Sequence, residues 1–256
     1  MIAVVLALGA NIDQPLTQLQ KALSELKKEL IGTTDPTFHT ELTLNTESPP
    51  HTTNFPLHTT KPTLDTTKTP INKKINRDPK QKLSSQSQQN SCHFIPSSIY
   101  KTAPLDYAKQ PDFYNMALYV EIADTLTLNS LFTLCQGIET KLERVKKIPK
   151  GPRSIDIDII LYNNRNRALV VGKKLVIVPH PRYPMRQFVL KPMLDIEEKL
   201  GSPFIHPILN LTTEDFYKNM PWSNVLKSQR ITKIADIDSH TYAIDSAAYG
   251  IDSSTD

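Results

Sequence analysis

From about Gly32 to Ser91 the chain offers almost nothing that a core could use. Runs such as HTTNFPLHTTKPTLDTTKTP and KLSSQSQQNS are rich in Thr, Pro, Asn, Gln, Ser and Lys. They hold few large apolar residues and keep no period. Ordering a residue costs roughly 1–2 kcal/mol of backbone entropy, which burial of such a segment cannot offset. The stretch reads as a disordered insertion of about residues 32–92 within a single folded domain, residues 1–230. A loop tolerates that length because its closure cost grows only logarithmically. Any core must therefore be assembled from the two flanks.

The flanks have clear periods. Val4 to Leu8 reads as a buried strand ending at Gly9-Ala10-Asn11. The opening MIAVVLALGA has some look of a signal-peptide core, but it lacks a basic leader and runs straight into a helix pattern. In that pattern, Pro15 to Leu30, the residues Leu16, Leu19, Leu23 and Leu26 fall at helical spacing. After the insertion, Ser97 to Thr102 and Phe113 to Ile122 read as strands. Leu126 to Arg144 reads as a helix whose Leu128, Leu131, Leu134, Ile138 and Leu142 share one face. A basic loop, VKKIPKGPR, leads into the strand SIDIDIILY; Val170 to Val178 reads as a further strand, and Phe188 to Leu194 as a helix or apolar turn. The order strand, helix, strand, strand, helix, strand predicts an α+β sandwich, with helices on one face of a mostly antiparallel sheet. From Ile237 onward IDSHTYA, IDSAAYG and IDSSTD form a seven-residue repeat too poor in apolar residues for a coiled-coil seam. Residues 231–256 are accordingly expected to be a disordered acidic tail.

The stretch GPRSIDIDIILY carries the chemistry. In a strand, side chains at i and i+2 point the same way with Cα atoms roughly 6.5–7 Å apart, so Asp156 and Asp158 can converge. Ile155, Ile157, Ile159 and Leu161 are then expected on the opposite face. Two adjacent anions repel unless a cation lies between them. The pair is either a magnesium site completed by substrate phosphates or simply the solvated face of a strand. Gly151-Pro152-Arg153 at the strand's mouth, with Arg144, Lys146, Lys147 and Lys150 before it, adds the cations that a metal–triphosphate complex requires. A second loop, VPHPRYPMRQF, presents His180, Arg182 and Arg186, either as phosphate ligands or as a solvated basic loop. Phe113 and Asn115 share a strand face, which suits a flat heterocycle and equally suits ordinary packing.

Composition narrows the classes. There are 7 glycines, and neither G-x-x-x-x-G-K-[ST] nor G-x-G-x-x-G occurs, so a nucleotide would be gripped by side chains and metal. A formal charge of +4 fits anionic substrates but does not alone argue for nucleic acid. Cys92 and Cys135 form no CxxC, which points to a reducing cytoplasm, and no apolar run approaches the ~18 residues of a membrane span.

Taken together, LALGANIDQPLTQLQKAL, SSIYKTAPLDYAKQPDFYNMALYVE, IETKLERV with GPRSIDIDIILY, and VPHPRYPMRQFVLKPML resemble the 6-hydroxymethyl-7,8-dihydropterin pyrophosphokinases of folate biosynthesis. The resemblance covers about residues 2–31 and 93–200. It implies a ferredoxin-like core that moves the pyrophosphoryl group of ATP onto the pterin's hydroxymethyl oxygen and releases AMP. It further implies two magnesium ions on Asp156 and Asp158, with Arg144 and Arg153 stabilising the transferring group. Gln136, Glu139, Arg144, Lys147, Arg153, Ile159, His180 and Arg186 fall on ATP-binding positions. Thr102, Leu105, Phe113, Asn115 and Phe188 fall on pterin-binding positions, the ring stacked between Phe113 and Phe188. Lys150 stands where the family often has an aromatic residue, and Lys146 where an arginine is frequent. A monomer is expected, without nucleic acid or membrane and with a possible association with dihydropteroate synthase. Two competing readings are a ferredoxin-like nucleic-acid-binding module using the basic loop, and a non-catalytic relative acting as a scaffold.

Overall fold

A β-strand with apolar side chains on both faces must be covered twice, and the first strand sets that demand. In β1 (Ile2–Ala10) Val4, Leu6 and Leu8 point to one side of the sheet and Val5 to the other, all buried. The computed structural model describes residues 1–32, 93–105, 109–142, 151–219, 230–238 and 244–245. These belong to one compact unit, Met1–Pro36 with Ser91–Asp256. The remaining elements are α1 (Pro15–Ile31), β2 (Phe94–Pro96), β3 (Ile99–Thr102), β4 (Phe113–Ile122), α2 (Leu128–Lys141) and β5 (Asp156–Tyr162). They continue with β6 (Arg167–Val171), β7 (Lys174–Val178), a 3-10 turn (Tyr183–Met185), α3 (Gln187–Leu200), α4 (Thr213–Asn219), β8 (Ile231–Ile237) and β9 (Ile244–Asp245).

Among the described residues the main sheet runs β5-β1-β4-β3-β8-β9, with β2 also paired to β4. Every pairing in it is antiparallel. Helix α1 starts with Pro15, whose missing N–H costs nothing at a helix N-terminus. It buries Leu19, Leu23, Leu26 and Leu30. Helix α2 is capped by Thr127, whose side chain accepts the Ser130 N–H, and buries Leu128, Leu131, Cys135 and Ile138 on the same side of the sheet. The other side is covered by α3 and α4 through Val189, Leu190, Met193, Ile196 and Phe216. Each such side chain contributes roughly 1.5–3 kcal/mol when fully buried. The expected antiparallel sheet with packed helices is therefore present, but the helices lie on both faces rather than one. The cause is the uninterrupted apolar run of β1 and β4, which leaves no face to water.

Three further expectations are corrected. Val170–Val178 is not one strand but the hairpin β6–β7, turning at Gly172, whose φ of +60° suits glycine. Leu161 does not share a face with Ile157 and Ile159, because the β1–β5 register shifts: Val5 pairs Leu161 while Leu6 pairs Ile159. This bulge sends Ile160 and Leu161 towards α3, while Ile157 and Ile159 stay under α1 and α2. Lastly, residues 231–237 are not disordered, and residues 246–256 lie outside the described residues. Strand β8 docks on β3 and buries Ile234, Ala235 and Ile237, and the first two repeat isoleucines pair with each other, Ile237 opposite Ile244. The insertion lies outside the described residues, as do the basic-loop residues Arg144, Lys146, Lys147 and Lys150.

Candidate active site

The register of three neighbouring strands places the polar groups in a row. Asp156 lies opposite Gly9 and Asn115 lies on Gly9's other side; one step along, Asp158 lies opposite Ala7 and Ala7 opposite Ala117. Partners across a sheet share a face. The two aspartates, Asn115 and a set of small residues thus lie together on the α3 side. Gly9, Ala7 and Ala117 are the small residues between them on that face.

Neither aspartate stands alone. Arg153 Nη1 donates to Asp156 Oδ2, and Arg186 Nη1 donates to Asp158 Oδ2 at 3.5 Å. Each arginine also covers an aromatic ring: Arg153 lies 5.4 Å from the Phe113 centroid and Arg186 lies 5.5 Å from that of Phe188. The site therefore has a repeated unit of carboxylate, guanidinium and ring, one copy at the β5 turn and one at the α3 start. Arg153 Nε is buried and has no hydrogen-bond partner among the described residues.

His180 is held from two sides. Its N–H donates to the carbonyl of the bulged Ile160 at 2.9 Å, and its Nδ1 accepts the Arg182 N–H at 3.2 Å. With Nδ1 used as an acceptor, the neutral ring carries its proton on Nε2. Burial, then the Arg186 and Arg182 charges, pull its pKa down to about 4, so the ring is neutral at pH 7. Burial is also the leading influence that lowers Arg186, with Asp158 opposing it.

On the sheet's inner strands, Asn115 Nδ2 donates to Thr102 Oγ1 at 2.8 Å, and both side chains are buried. A Cβ on Gly9 would stand 2.9 Å from Asn115 Oδ1, so only glycine leaves this amide in place. Leu105 is half-buried, three residues beyond β3. On the opposite side of β5, Glu139 is 6 % exposed and its Oε1 accepts the Ile157 N–H at 2.8 Å. It holds the strand between the two aspartates instead of facing them. Gln136 lies on the same helix and is half-buried, and Ile159 is packed in the core under α1 and α2. The structure brings Arg153, Asp156, Asp158, His180, Arg186, Phe113, Asn115, Thr102 and Phe188 to one side; Gln136, Glu139 and Ile159 belong to the other. Arg144 and Lys147 fall outside the described residues.

Two residues of this region were not singled out from the sequence. Gly9 could have been, as one of only 7 glycines, placed inside a buried strand. Asn11 is the other, and no local pattern marks it.

A divalent cation would find hard oxygen donors here. Among the described residues no group of three or more His, Cys, Asp or Glu side chains converges. Asp156 and Asp158 alone would supply protein ligands, which suits magnesium, an ion that keeps water and substrate oxygens in its shell. Both carboxylates already hold a cation, in the form of a guanidinium.

The model of the family described as 7,8-dihydro-6-hydroxymethylpterin-pyrophosphokinase (HPPK) matches residues 71–198, half of the chain. The chain belongs to the HPPK family. Over 100 residues it is 44% identical to the 2-amino-4-hydroxy-6-hydroxymethyldihydropteridine pyrophosphokinase of Bacillus subtilis, covering 39% of this chain and 56% of that protein. It is 37% identical over 124 residues to the folic acid synthesis protein fol1 of Pneumocystis carinii, 48% of this chain and 15% of that one. A solved Plasmodium falciparum HPPK-DHPS aligns with 95% of this chain and 48% of that chain, at 14% identity and a TM-score of 0.49. The chain thus spans little over half of its bacterial relative and a much smaller part of the fungal one. The HPPK match runs from within the Thr-rich stretch into α3, and so includes every site residue above except Ala7, Gly9 and Asn11.

Proposed function

We propose that this chain transfers the pyrophosphoryl group of ATP to 6-hydroxymethyl-7,8-dihydropterin, giving AMP and the pterin diphosphate. The hydroxymethyl oxygen attacks the β-phosphorus, the bond from the β-phosphorus to the α,β-bridging oxygen breaks, AMP leaves with that oxygen, and the hydroxyl proton is released. The observation that carries this reading is the doubled carboxylate–guanidinium–ring unit of Asp156, Arg153 and Phe113 with Asp158, Arg186 and Phe188.

The residues divide the work. Asp156 and Asp158 would hold magnesium, two ions by analogy with the family; a bound ion supplies charge neutralisation on the phosphates and a lowered pKa for the attacking hydroxyl. Arg153 and Arg186 lie beside them and present charge-assisted donors to phosphate oxygens. His180, neutral at pH 7, offers Nε2–H as a donor without adding charge. Phe113 and Phe188 supply ring faces for the pterin, and Thr102 and Asn115 a buried polar edge that can read its heteroatoms. Arg144 and Lys147 would add cations from the basic loop.

The finer fold reading is a ferredoxin-like core, supported by the antiparallel order β5-β1-β4-β3 with α1 and α2 as its crossovers. An association with dihydropteroate synthase is supported by relatives that bear both names, such as the HPPK-DHPS protein. No helix of the described residues is long and apolar enough to cross a membrane.

The test is product analysis. With ATP, magnesium and the hydroxymethyl dihydropterin, AMP should form only when all three are present. Asp158→Ala should reduce the rate at least ~1,000-fold while the protein stays folded. Its Arg186 pair is partly exposed and stabilises little. Formation of ADP, or an active Asp158→Ala protein, would count against the mechanism.

A further inference from the structure

Asn11 follows β1 directly, is 2 % exposed and spends its whole amide on the two segments that lead to Asp156 and to Phe113. Its Oδ1 accepts the Arg153 N–H at 2.8 Å, and its own N–H donates to the Arg153 carbonyl at 3.1 Å. Its Nδ2 donates both hydrogens, to Gln110 Oε1 at 3.2 Å and to the Pro111 carbonyl at 3.1 Å. Arg153 is the last cation before Asp156; Gln110 and Pro111 lead directly into Phe113.

We propose that Asn11 is a positioning residue that ties the nucleotide side of the site, through Arg153, and the pterin side, through the Gln110–Pro111 segment, to the end of one rigid central strand. The argument is one of geometry. Both segments are loops without ladder hydrogen bonds of their own at these residues, and loops hold a side chain loosely unless something fixes their backbone. Arg153 must stay in reach of Asp156 while its guanidinium lies on Phe113, so the turn at 151–153 and the start of β4 need a fixed separation. An amide supplies it because it can donate twice and accept once in a plane. Aspartate has no donors, serine is too short, and glutamine would push both loops outward. A misplacement of about 1 Å at such a shell is enough to cost a large factor in rate.

The inference rests on the proposed function for the identity of the two ligands, but its first test does not. In the ligand-free protein, Asn11→Ala should speed amide hydrogen exchange at Arg153 at least tenfold, with the centre of β4 unchanged. Gln110→Ala, which leaves the Arg153 bond intact, should keep Arg153 exchange within twofold of the parent and serves should Asn11→Ala not fold. The second test is calorimetric titration with magnesium and the methylene analogue of ATP, and then with 6-hydroxymethylpterin. Asn11→Ala should weaken both ligands by about tenfold, the worth of one or two lost hydrogen bonds. Gln110→Ala should weaken the pterin alone. In an Arg153→Ala background the effect of Asn11→Ala on the nucleotide should shrink to within twofold, because the group it positions has gone.

Unchanged Arg153 exchange in Asn11→Ala, a fully additive loss in the double variant, or pterin binding that Gln110→Ala leaves untouched would each overturn the proposal. A parent chain that binds neither ligand overturns the function reading instead, and the exchange experiment still decides whether Asn11 holds the turn.

Discussion

Gly9 makes a demanding prediction, because replacing it adds one carbon atom and that atom has a known obstacle. In Gly9→Ala the new Cβ would stand 2.9 Å from Asn115 Oδ1, below any ordinary carbon–oxygen contact. The backbone of β1 is held by β4 on one side and β5 on the other, so the amide must give way. Its only slack is rotation or withdrawal, and either strains or breaks the 2.8 Å bond from Nδ2 to Thr102 Oγ1. A hydrogen bond of this kind is worth about 1 kcal/mol net, and a buried amide left without a partner costs about 1–3 kcal/mol. If Asn115 reads the pterin, that range corresponds to about a 5- to 150-fold loss of pterin affinity. Binding of the magnesium–nucleotide complex, which the proposed function assigns to Asp156, Asp158 and the arginines and not to Asn115, should change less than threefold. Calorimetric titration with 6-hydroxymethylpterin in the presence of the methylene ATP analogue measures both. An internal control follows from the same geometry. In an Asn115→Ala background the extra methyl meets nothing, so Gly9→Ala should then cost little further affinity. A folded Gly9→Ala protein with parental pterin affinity, or one whose loss persists in the Asn115→Ala background, would refute the reasoning.

The remaining predictions are briefer. His180 is neutral in the folded protein because burial and the neighbouring arginines bring its pKa to about 4, against 6.5 unfolded. The unfolded state thus binds the proton first, so this contribution is intact above pH 6.5 and is lost as pH falls from 6.5 towards 4, by at most about 3 kcal/mol. Urea unfolding at pH 7.5 and 4.5 should show a steeper acid loss for the parent than for His180→Gln, and equal losses would contradict it. Ile234 is buried in β8, so Ile234→Ala should lower stability by about 2–4 kcal/mol in the same assay. No loss would mean that the C-terminal strand is not docked.

Much of this architecture is readable in one dimension, and the parts that are not share a cause. The helices α1 and α2 announce themselves by leucine spacing, and β1 and β4 by apolar runs, because local period and burial agree. The aspartate pair is legible for the same reason: Asp156 and Asp158 are two apart on one strand, and a strand's period is two. What fails is whatever depends on a partner strand. The Ile160 bulge, which turns Leu161 over and provides the carbonyl that anchors His180, exists only in the pairing of β5 with β1. The docking of β8 is not legible because its three isoleucines, Ile231, Ile234 and Ile237, are spaced three apart instead of two, and they gain a face only when β3 stands beside them. Glu139 looks like a ligand residue by position, yet it is committed to the outer edge of β5, where the Ile157 N–H has no neighbouring strand to bond. Gly9 and Asn11 are similar cases: each is defined by what crosses from another segment.

The arginines carry the last step of this logic. Two carboxylates on one strand face, near apolar packing, would repel unless a positive charge compensates each. Arg153 and Arg186 provide that compensation from within the chain, so the site does not depend on metal to remain charged. Their ring contacts then follow, since a guanidinium donates to an aspartate's oxygen in its own plane and keeps its flat faces for stacking, and Phe113 or Phe188 covers one. An incoming phosphate or cation thus exchanges partners within an already neutral cluster instead of charging a buried one. On the proposed function, the positive charges that leave the carboxylates would pass to the triphosphate, and the rings they uncover would be the flat faces offered to the pterin.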